Sequence, residues 1–254
     1  ALDRPQEALK YFRRALELRP DSSLLHCDLG ECLRKADRFD EAIAAFQEAI
    51  RLSPDNSFGY NGLGLALFDK GLHEEGLSAI QQGLAIEEKR VADSPQHPGS
   101  RHMLAGMQNN VAMVLMGHGE QQQAETLLRR ALESESQLLA SAPNDRDFCE
   151  YLSNIHYTLG ELLQTQGKHI EAEVEVRSSL KHKQKLAADV PSNVSYQVDL
   201  ALTIAMLSSV LTDQGAAEEG DAKYAEAITL LQRLIAEFPT VPRHRFNLAI
   251  VRHA

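Results

Sequence analysis

The apolar residues of this chain recur at intervals of three and four positions, which is the pattern of amphipathic helices. In one typical stretch Ile155, Leu159 and Leu163 fall on one helical face, and Gly167 then marks the end of that helix. A second helix with the same periodicity begins near Ala172. The pattern therefore predicts pairs of helices joined by short turns, and an all-α fold.

The helix pair is repeated along the chain at two different intervals. Ala8 recurs as Ala42 and Gly30 recurs as Gly64, which defines a short, 34-residue interval. Beyond Gly64 the array changes to a long, 48-residue interval, which five columns keep. These columns are Leu63, Val111, Leu159 and Leu207; Gly71, Gly119, Gly167 and Gly215; Gly76, Ala124, Ala172 and Gly220; Gly83, Ala131, Ser179 and Ala227; and Pro95, Pro143, Pro191 and Pro239. Such a regular array predicts stacked helix pairs, each of which buries its apolar face against its neighbours.

The order Leu-Gly followed by Ala, Phe, Ala and Pro, found within 29–54, resembles the tetratricopeptide repeat (TPR), whose usual interval is the short one. The similarity is close over 23–56, good over 57–83 and looser over 84–254, where the repeats follow the long interval. The resemblance implies a right-handed superhelical solenoid of antiparallel helix pairs. The long repeats, with endings such as 186–191, are also similar to the TPR arrays of planctomycete-type bacterial proteins, many of which are linked to serine/threonine kinase domains.

The repeat register predicts a single solenoid over residues 1–254. Its repeats are 1–22 (partial), 23–56, 57–104, 105–152, 153–200, 201–248 and a stub at 249–254. Within the long repeats, helices are predicted near 120–140 and 147–166, each ending before or beginning after a proline. No polar capping helix is evident at either end, so we expect a piece of a longer chain and self-association through the uncapped ends.

Small residues occupy the positions where the paired helices are expected to cross. Gly64 is placed against Gly76, and Gly160 against Ala172. A larger side chain at such a crossing would push the helices apart, at a cost of ~1–3 kcal/mol. The substitution Ala124→Leu, in the same column, is therefore expected to be strongly destabilising.

Composition and net charge argue against some classes of partner and some cellular locations. The net charge of −10 argues against binding to nucleic acid, which needs clustered Lys and Arg. The longest stretch without charged residues, 102–119, is too short and too polar to span a bilayer, and no secretory signal precedes the first helix. The three cysteines are too few for a disulfide framework. We therefore expect a cytoplasmic protein with no nucleic-acid or membrane partner.

Motifs for catalysis, cofactors and metals do not occur in this sequence. There is no phosphate-binding loop, no protein-kinase signature and no His-Glu-x-x-His motif. The spacing of Cys27 and Cys32 does not place both thiols on one helical face. We expect Cys27 to line a groove, Cys32 to be packed and His156 to be a packing residue. The prediction is a protein that is not an enzyme and has neither a cofactor nor a metal.

The TPR resemblance implies that the second, fifth, ninth and twelfth positions of each first helix, helix A, line a concave groove. The lysines that let some TPR proteins clamp a carboxylate are absent from these positions. Methionine adapts to varied apolar partners, and asparagine amides can pair with a peptide backbone. The predicted partner-binding residues are Phe58, Asn61, Leu65, Phe68, Asn109, Met113, Met116, Tyr157 and Glu161.

The leading function is a protein–protein interaction scaffold that binds a peptide or a partner protein in this groove. One alternative is the TPR region of a larger signalling enzyme, such as a bacterial serine/threonine protein kinase. A second is a structural spacer, in which case the predicted groove residues contact each other and bind nothing. The aromatic and methionine side chains in the groove argue against the spacer.

Overall fold

A computed structural model describes residues 5–238, together with Leu248 and Val251, and the described chain is helical with no β-strand. The helices are α1 (Pro5–Leu18), α2 (Ser23–Lys35), α3 (Phe39–Leu52), α4 (Ser57–Asp69), α5 (His73–Asp93), α6 (Pro98–Gly117), α7 (Gln121–Ser141), α8 (Arg146–Thr165), α9 (His169–Asp189), α10 (Val194–Asp213) and α11 (Ala217–Glu237). The predicted all-α class is confirmed. The predicted breaker Pro239 lies outside the described residues, as does the stub at 249–254 apart from Val251.

The chain divides into two compact halves, 1–127 and 128–254. In the N-terminal half, α2 packs on α3 and α4 on α5, while α3 contacts α4 and α5 contacts α6. In the C-terminal half, α8 packs on α9 and α10 on α11, and α9 contacts α10. Each of these helices therefore packs mainly against its neighbours in sequence, as a solenoid of helix pairs requires.

The long repeats extend both of their helices, as the sequence predicts. Helix α7 begins and ends one residue later than the predicted 120–140, and α8 begins and ends one residue earlier than 147–166. Helices α5, α7 and α9 each end two residues before a breaker proline. The proline column thus sets the C-terminal end of each long B helix, the second helix of a pair, because proline disfavours helical geometry in the residue before it.

The turn between paired helices requires a left-handed residue. The turn glycines have positive φ, from 74° at Gly167 to 88° at Gly71. At the equivalent turn of the short repeat, between α2 and α3, Asp37 takes the same conformation with φ of 58°. Aspartate tolerates this region better than most residues, so the short repeat keeps the turn without glycine.

The helices of a pair approach closely at the predicted small residues. A Cβ atom on Gly64 would lie 2.7 Å from the carbonyl oxygen of Gly76 and would collide with the side chain of Ile80. In the C-terminal half, a Cβ atom on Gly160 would lie 2.6 Å from Cγ2 of Val176. The prediction that small side chains permit the crossing of paired helices is confirmed.

Phe46 fills the centre of the first core cluster. Its ring is fully buried against Gly30 and Gly62, where a Cβ atom would overlap the ring. Small and aliphatic side chains from four helices surround it. This cluster is Leu9, Cys27, Leu33, Ala42, Ala45, Phe46, Ala49 and Ala66.

Helix α10 is the most apolar of the long helices that the structure describes. Its stretch Val194–Asp213 has a mean hydropathy of 1.5, which is enough by length and composition to cross a membrane. More than half of this stretch is buried within the structure, and residues such as Val198 pack in a cluster with Leu234 of α11. The helix therefore has the environment of a core helix. Core helices are often as long and as apolar as helices that cross a membrane.

Candidate functional site

The predicted groove residues of the N-terminal half lie on α4 and α6, and the two phenylalanines among them are partly used in packing. Phe58 lies against the core cluster around Phe46. The ring of Phe68 stacks on His73 with a centroid distance of 6.0 Å and also lies close to Gly76. Both rings keep part of their surface exposed. They can supply the wall of a binding surface, but their position is fixed by contacts within the fold.

Asparagine side chains connect α4 to α6 on this face. Nδ2 of Asn110 donates a hydrogen bond of 2.9 Å to Oδ1 of Asn61, which is buried. The neighbouring Asn109 is also buried, at 9% exposure, and its Nδ2 lies 3.8 Å from the sulfur of Met113. Oδ1 of Asn109 is buried and accepts no hydrogen bond from any residue that the structure describes. A buried amide oxygen without a donor is costly, so the described contacts leave the hydrogen bonding of Asn109 incomplete.

Met113 is the most accessible apolar side chain of the predicted site. It is 53% exposed, although large apolar side chains are usually buried. Leu65 and Met116 on the same two helices are partly exposed. The structure thus gives α4 and α6 an adaptable apolar surface beside an amide oxygen that lacks a donor.

Polar pairs also link neighbouring A helices. Nη1 of Arg34 on α2 donates to Asp69 on α4 at 2.7 Å, and its Nε donates to Glu31 at 2.9 Å. Burial alone would raise the pKa of the Glu31 carboxyl, but the adjacent Arg34 guanidinium outweighs burial and lowers it. In the C-terminal half, Nε2 of Gln164 on α8 donates to Ser209 and Asp213 on α10. Arg34, Gln164 and Ser209 occupy A-helix positions that the repeat assigns to the groove, and these pairs use their side chains within the fold.

The predicted groove residues of the C-terminal half, Tyr157 and Glu161, lie on α8. Burial raises the pKa of Tyr157 to about 12, with a further contribution from the carboxylates of Glu161 and Asp199. Partial desolvation also raises the pKa of Glu161, although its side chain is exposed. The two side chains do not form a hydrogen-bonded pair with each other in the structure.

Lys183 is a further residue of this region that sequence reasoning missed. Its ammonium nitrogen lies 4.8 Å from the centroid of the Tyr157 ring, and the residue is 7% exposed. Burial lowers the pKa of Lys183, against the attraction of Asp199 and Glu150. A signal was available in the sequence, because Lys183 stands in the apolar stripe of α9 between Leu180 and Leu186, where helical periodicity predicts a buried side chain.

The prediction that Cys27 lines a groove is wrong. Its side chain is fully buried in the core cluster, and its sulfur accepts from Nδ2 of Asn56 at 3.4 Å. Burial raises the pKa of the Cys27 thiol to about 11, and the hydrogen bond from Asn56 only partly opposes this. The fifth position of this short repeat therefore faces inward, because the polar side chains of Ser23 and Asn56 cover it. Cys32 is partly buried against the same cluster, as predicted.

His156 packs within the C-terminal half, as predicted, and it does so through polar contacts. Its Nδ1 lies 2.6 Å from Oε2 of Glu175, and its ring stacks on His182 with a centroid distance of 6.1 Å. Nδ1 of His182 in turn lies 3.5 Å from the sulfur of Cys149. Burial raises the pKa of the Cys149 thiol, which is the opposite of what a nucleophilic cysteine needs. The cluster therefore has no activated nucleophile.

The tetratricopeptide repeat is the family whose models match this sequence. Three such models match residues 1–57, 104–135 and 210–240. They fall in the short repeats at the start of the chain and in two of the long repeats. No curated protein shows significant sequence similarity to the chain.

Several solved structures share the fold. BtubC (BKLC) from P. vanneervenii is 18% identical, with a TM-score of 0.63 over 93% of this chain and 90% of that one. A thermophilic TPR protein of Thermus thermophilus is 16% identical, with a TM-score of 0.54 over 92% of this chain and all (100%) of that one. The TPR-like repeats of a putative kinesin light chain from Podosopora anserina are 14% identical, with a TM-score of 0.53 over 82% and 93% of the two chains. At these identities the likeness establishes the fold.

Proposed function

The chain is a tetratricopeptide-repeat protein, and we propose that it acts as an interaction scaffold that binds a peptide segment of a partner protein on the A-helix face of its N-terminal half. TPR proteins in general bind proteins or peptides. The observation that carries this proposal is the pairing of Met113, which is 53% exposed, with the buried amide oxygen of Asn109, which has no donor among the described residues.

These two side chains offer complementary contacts. Met113 can cover an apolar side chain of varied shape, since its thioether is flexible and polarisable. Oδ1 of Asn109 accepts one N–H of the peptide backbone when its side chain rotates toward the peptide, and this hydrogen bond satisfies an oxygen that the described residues leave without a donor. Phe58, Leu65 and Phe68 widen the apolar part of the surface. We therefore propose an extended or helical peptide with an apolar anchor as the ligand, bound without any chemical step.

A displayed library of random peptides tests the proposal. Selection on the wild-type protein is expected to yield peptides with a recurrent apolar residue, and Met113→Glu is expected to abolish their capture because a carboxylate replaces the apolar contact. Ile170→Glu is the matched control, since Ile170 is an exposed apolar residue (77% exposed) on helix B α9. Peptides that Met113→Glu still captures as well as the wild type does would contradict the proposal.

We also propose that the protein works in a reducing compartment such as the cytoplasm. Cys27, Cys32 and Cys149 form no disulfide with one another, and two of them are buried. Free cysteines persist where glutathione and thioredoxin keep thiols reduced. Subcellular fractionation of the native host, followed by immunoblotting, checks the location.

A further inference from the structure

A groove runs along α11 in the C-terminal half, and we call it the α11 groove. It has a volume of about 520 Å³. The residues that line it are Leu200, Ile204, Ala222, Ala225, Glu226, Thr229, Leu230 and Arg233. Leu200, Ile204 and Leu230 are buried or partly buried, so the deeper part of the groove is apolar. A groove of this size has room for side chains of another protein molecule.

The exposed side chains of α11 along this groove are short, although the repeat accepts long charged residues at the same positions. The column of Ala225 holds Arg129 on α7 and Arg177 on α9, and both are exposed. Thr229 corresponds in the same way to the exposed Lys181 of α9. Packing within the chain therefore does not require short residues here. Short residues do allow another helix to approach α11 closely.

Two opposite charges lie at equal distances from the middle of the α11 groove. Glu226 and Arg233 are seven residues apart, which is about two helical turns, so they lie on the same side of α11. Each pairs with a residue of its own helix. Nζ of Lys223 lies 2.7 Å from Glu226, and Nε of Arg233 lies 3.9 Å from Glu237. Such exposed pairs contribute little free energy, so both charges can exchange these partners for better ones.

This arrangement of charges is complementary to itself. In two antiparallel copies of α11 related by a two-fold axis between Thr229 and Leu230, Glu226 of each copy lies opposite Arg233 of the other. Two identical ion pairs then form across the axis. In a parallel arrangement Glu226 would face its own counterpart, and so would Arg233. The charges therefore favour a second copy of this chain in the antiparallel direction.

We propose that two copies of the protein associate through α11, with α11 of each copy lying in the α11 groove of the other. Contact at Ala222, Ala225 and Thr229 allows the helices to approach closely, and the apolar part of the groove is removed from water. The dimer uses residues of the C-terminal half and shares none with the proposed peptide site. It therefore goes beyond the proposed function, and it would give one particle two peptide sites.

Sedimentation equilibrium tests the dimer, with the protein at about 1 µM to about 500 µM because a contact between single helices is small and weak. The mass of the wild type is expected to rise from that of one chain to that of two. Glu226→Arg and Arg233→Glu each place like charges opposite each other twice, so each is expected to weaken dimerisation by about tenfold or more. In an equal mixture of the two variants, opposite charges meet at both contacts of a mixed dimer, so dimerisation is expected to return.

A change of size provides a second test of the same contact. Ala225→Arg introduces the residue that α7 and α9 carry in this column, so the variant is expected to fold and to stay monomeric. Glu133→Arg is the matched control for the charge change, because Glu133 is an exposed residue of α7 that lies outside the α11 groove. It is expected to dimerise as the wild type does. Circular dichroism shows that each variant is folded.

Three results would overturn this inference. A wild type with the mass of one chain at every concentration would show that a second copy does not occupy the α11 groove. A dimer that persists in Ala225→Arg would place the contact elsewhere, for instance at the ends of the solenoid. Charge variants that the mixture does not rescue would exclude the antiparallel pairing. The peptide library tests the proposed function separately, since neither Glu226 nor Arg233 belongs to the peptide site.

Discussion

Met113 and Asn109 lie one turn apart on α6 and have opposite environments, since one is exposed and the other is buried with an amide oxygen that has no donor among the described residues. Side chains at other predicted groove positions are used by the fold itself. Phe68 stacks on His73, and Arg34 pairs with Asp69. At the scale of single residues, some side chains on the face of the A helices are therefore used in internal packing and others are not. The side chains that are not used in packing define the proposed site.

Gly64 is the residue at which the crossing of paired helices leaves least room. In Gly64→Ala the new methyl group would lie 2.7 Å from the carbonyl oxygen of Gly76, which is backbone and cannot move away cheaply. We expect the free energy of unfolding to fall by about 1–3 kcal/mol, as for other overpacked sites. Urea unfolding followed by circular dichroism measures this.

Gly117→Ala is the matched control, because a Cβ atom at this position on α6 meets nothing within 4 Å. There the methyl group should be neutral or should stabilise the protein by up to about 1 kcal/mol through helix propensity. Equal losses of stability in the two variants would show that the close approach at Gly64 is not the cause.

His182 makes the stability of the protein depend on pH. Burial lowers its pKa below the usual 6.5, with help from the positive charges of His156, Lys181 and Lys185. The unfolded chain therefore binds more protons than the folded one near and below pH 6.5, so the free energy of unfolding falls as the pH is lowered through this range. Lys181 and Lys185 oppose protonation of the ring, and Glu175 contacts the neighbouring His156.

The variant His182→Gln lacks this titration. We expect it to lose less stability than the wild type between pH 7.5 and pH 5.0, by roughly the contribution of one histidine. His118→Gln, which removes an exposed histidine, is the control. Urea denaturation at several pH values gives the comparison, and parallel curves for the wild type and His182→Gln would disprove the assignment.

The two helices of a pair differ in how their N-terminal ends are capped. Side chains cap the A helices at Ser22, Asn56, His97, Asp145 and Asn193. The caps of the long repeats keep the long interval of the array. Helices α3, α5, α9 and α11 have no side-chain cap and follow a left-handed turn residue instead. The start of each A helix therefore depends on one polar side chain after the breaker proline.

Removal of one such cap should destabilise the protein. Oδ1 of Asn193 accepts from the backbone N–H groups of Ser195 and Tyr196, at 3.0 and 3.4 Å. Asn193→Ala is expected to lower the free energy of unfolding by about 1 kcal/mol. Asn144→Ala, in the exposed loop before α8, is the control and should have little effect. Thermal melts of the two variants that coincide would refute the capping role.

At the scale of elements, the sequence predicts the fold closely. Glycine and proline columns locate turns and helix ends, because their backbone restrictions are local. The capping residues His97, Asp145 and Asn193 form a further column at the same interval, and this column predicts where the A helices begin. The left-handed Asp37 was also missed, since aspartate does not require this conformation.

The candidate site is less predictable, because its properties depend on contacts between helices that are distant in sequence. The TPR resemblance implies that Cys27 lies at a groove position, but Ser23 and Asn56 cover it. Similarly, the hydrogen bond between Asn61 and Asn110 depends on how α4 and α6 pack, and this packing cannot be predicted from the repeat columns. A charged residue in an apolar stripe, such as Lys183, is the one signal of this kind that the sequence does contain.

At the scale of the whole molecule, two predictions go beyond the separate halves. One is a continuous solenoid over residues 1–254, and the other is attachment to a kinase domain in a longer chain. Both stay predictions. Small-angle X-ray scattering tests the first, because a continuous solenoid gives a single elongated particle, and the coding sequence around this segment in its genome tests the second.

The binding of one selected peptide tests the central claim most directly. Fluorescence anisotropy of the labelled peptide measures its dissociation constant for the wild type, Met113→Glu and Ile170→Glu. We predict that Met113→Glu weakens binding by about tenfold or more, the equivalent of losing one anchoring contact, while Ile170→Glu binds as the wild type does. Equal affinity of Met113→Glu and the wild type would contradict the proposal that this face of the N-terminal half binds the partner.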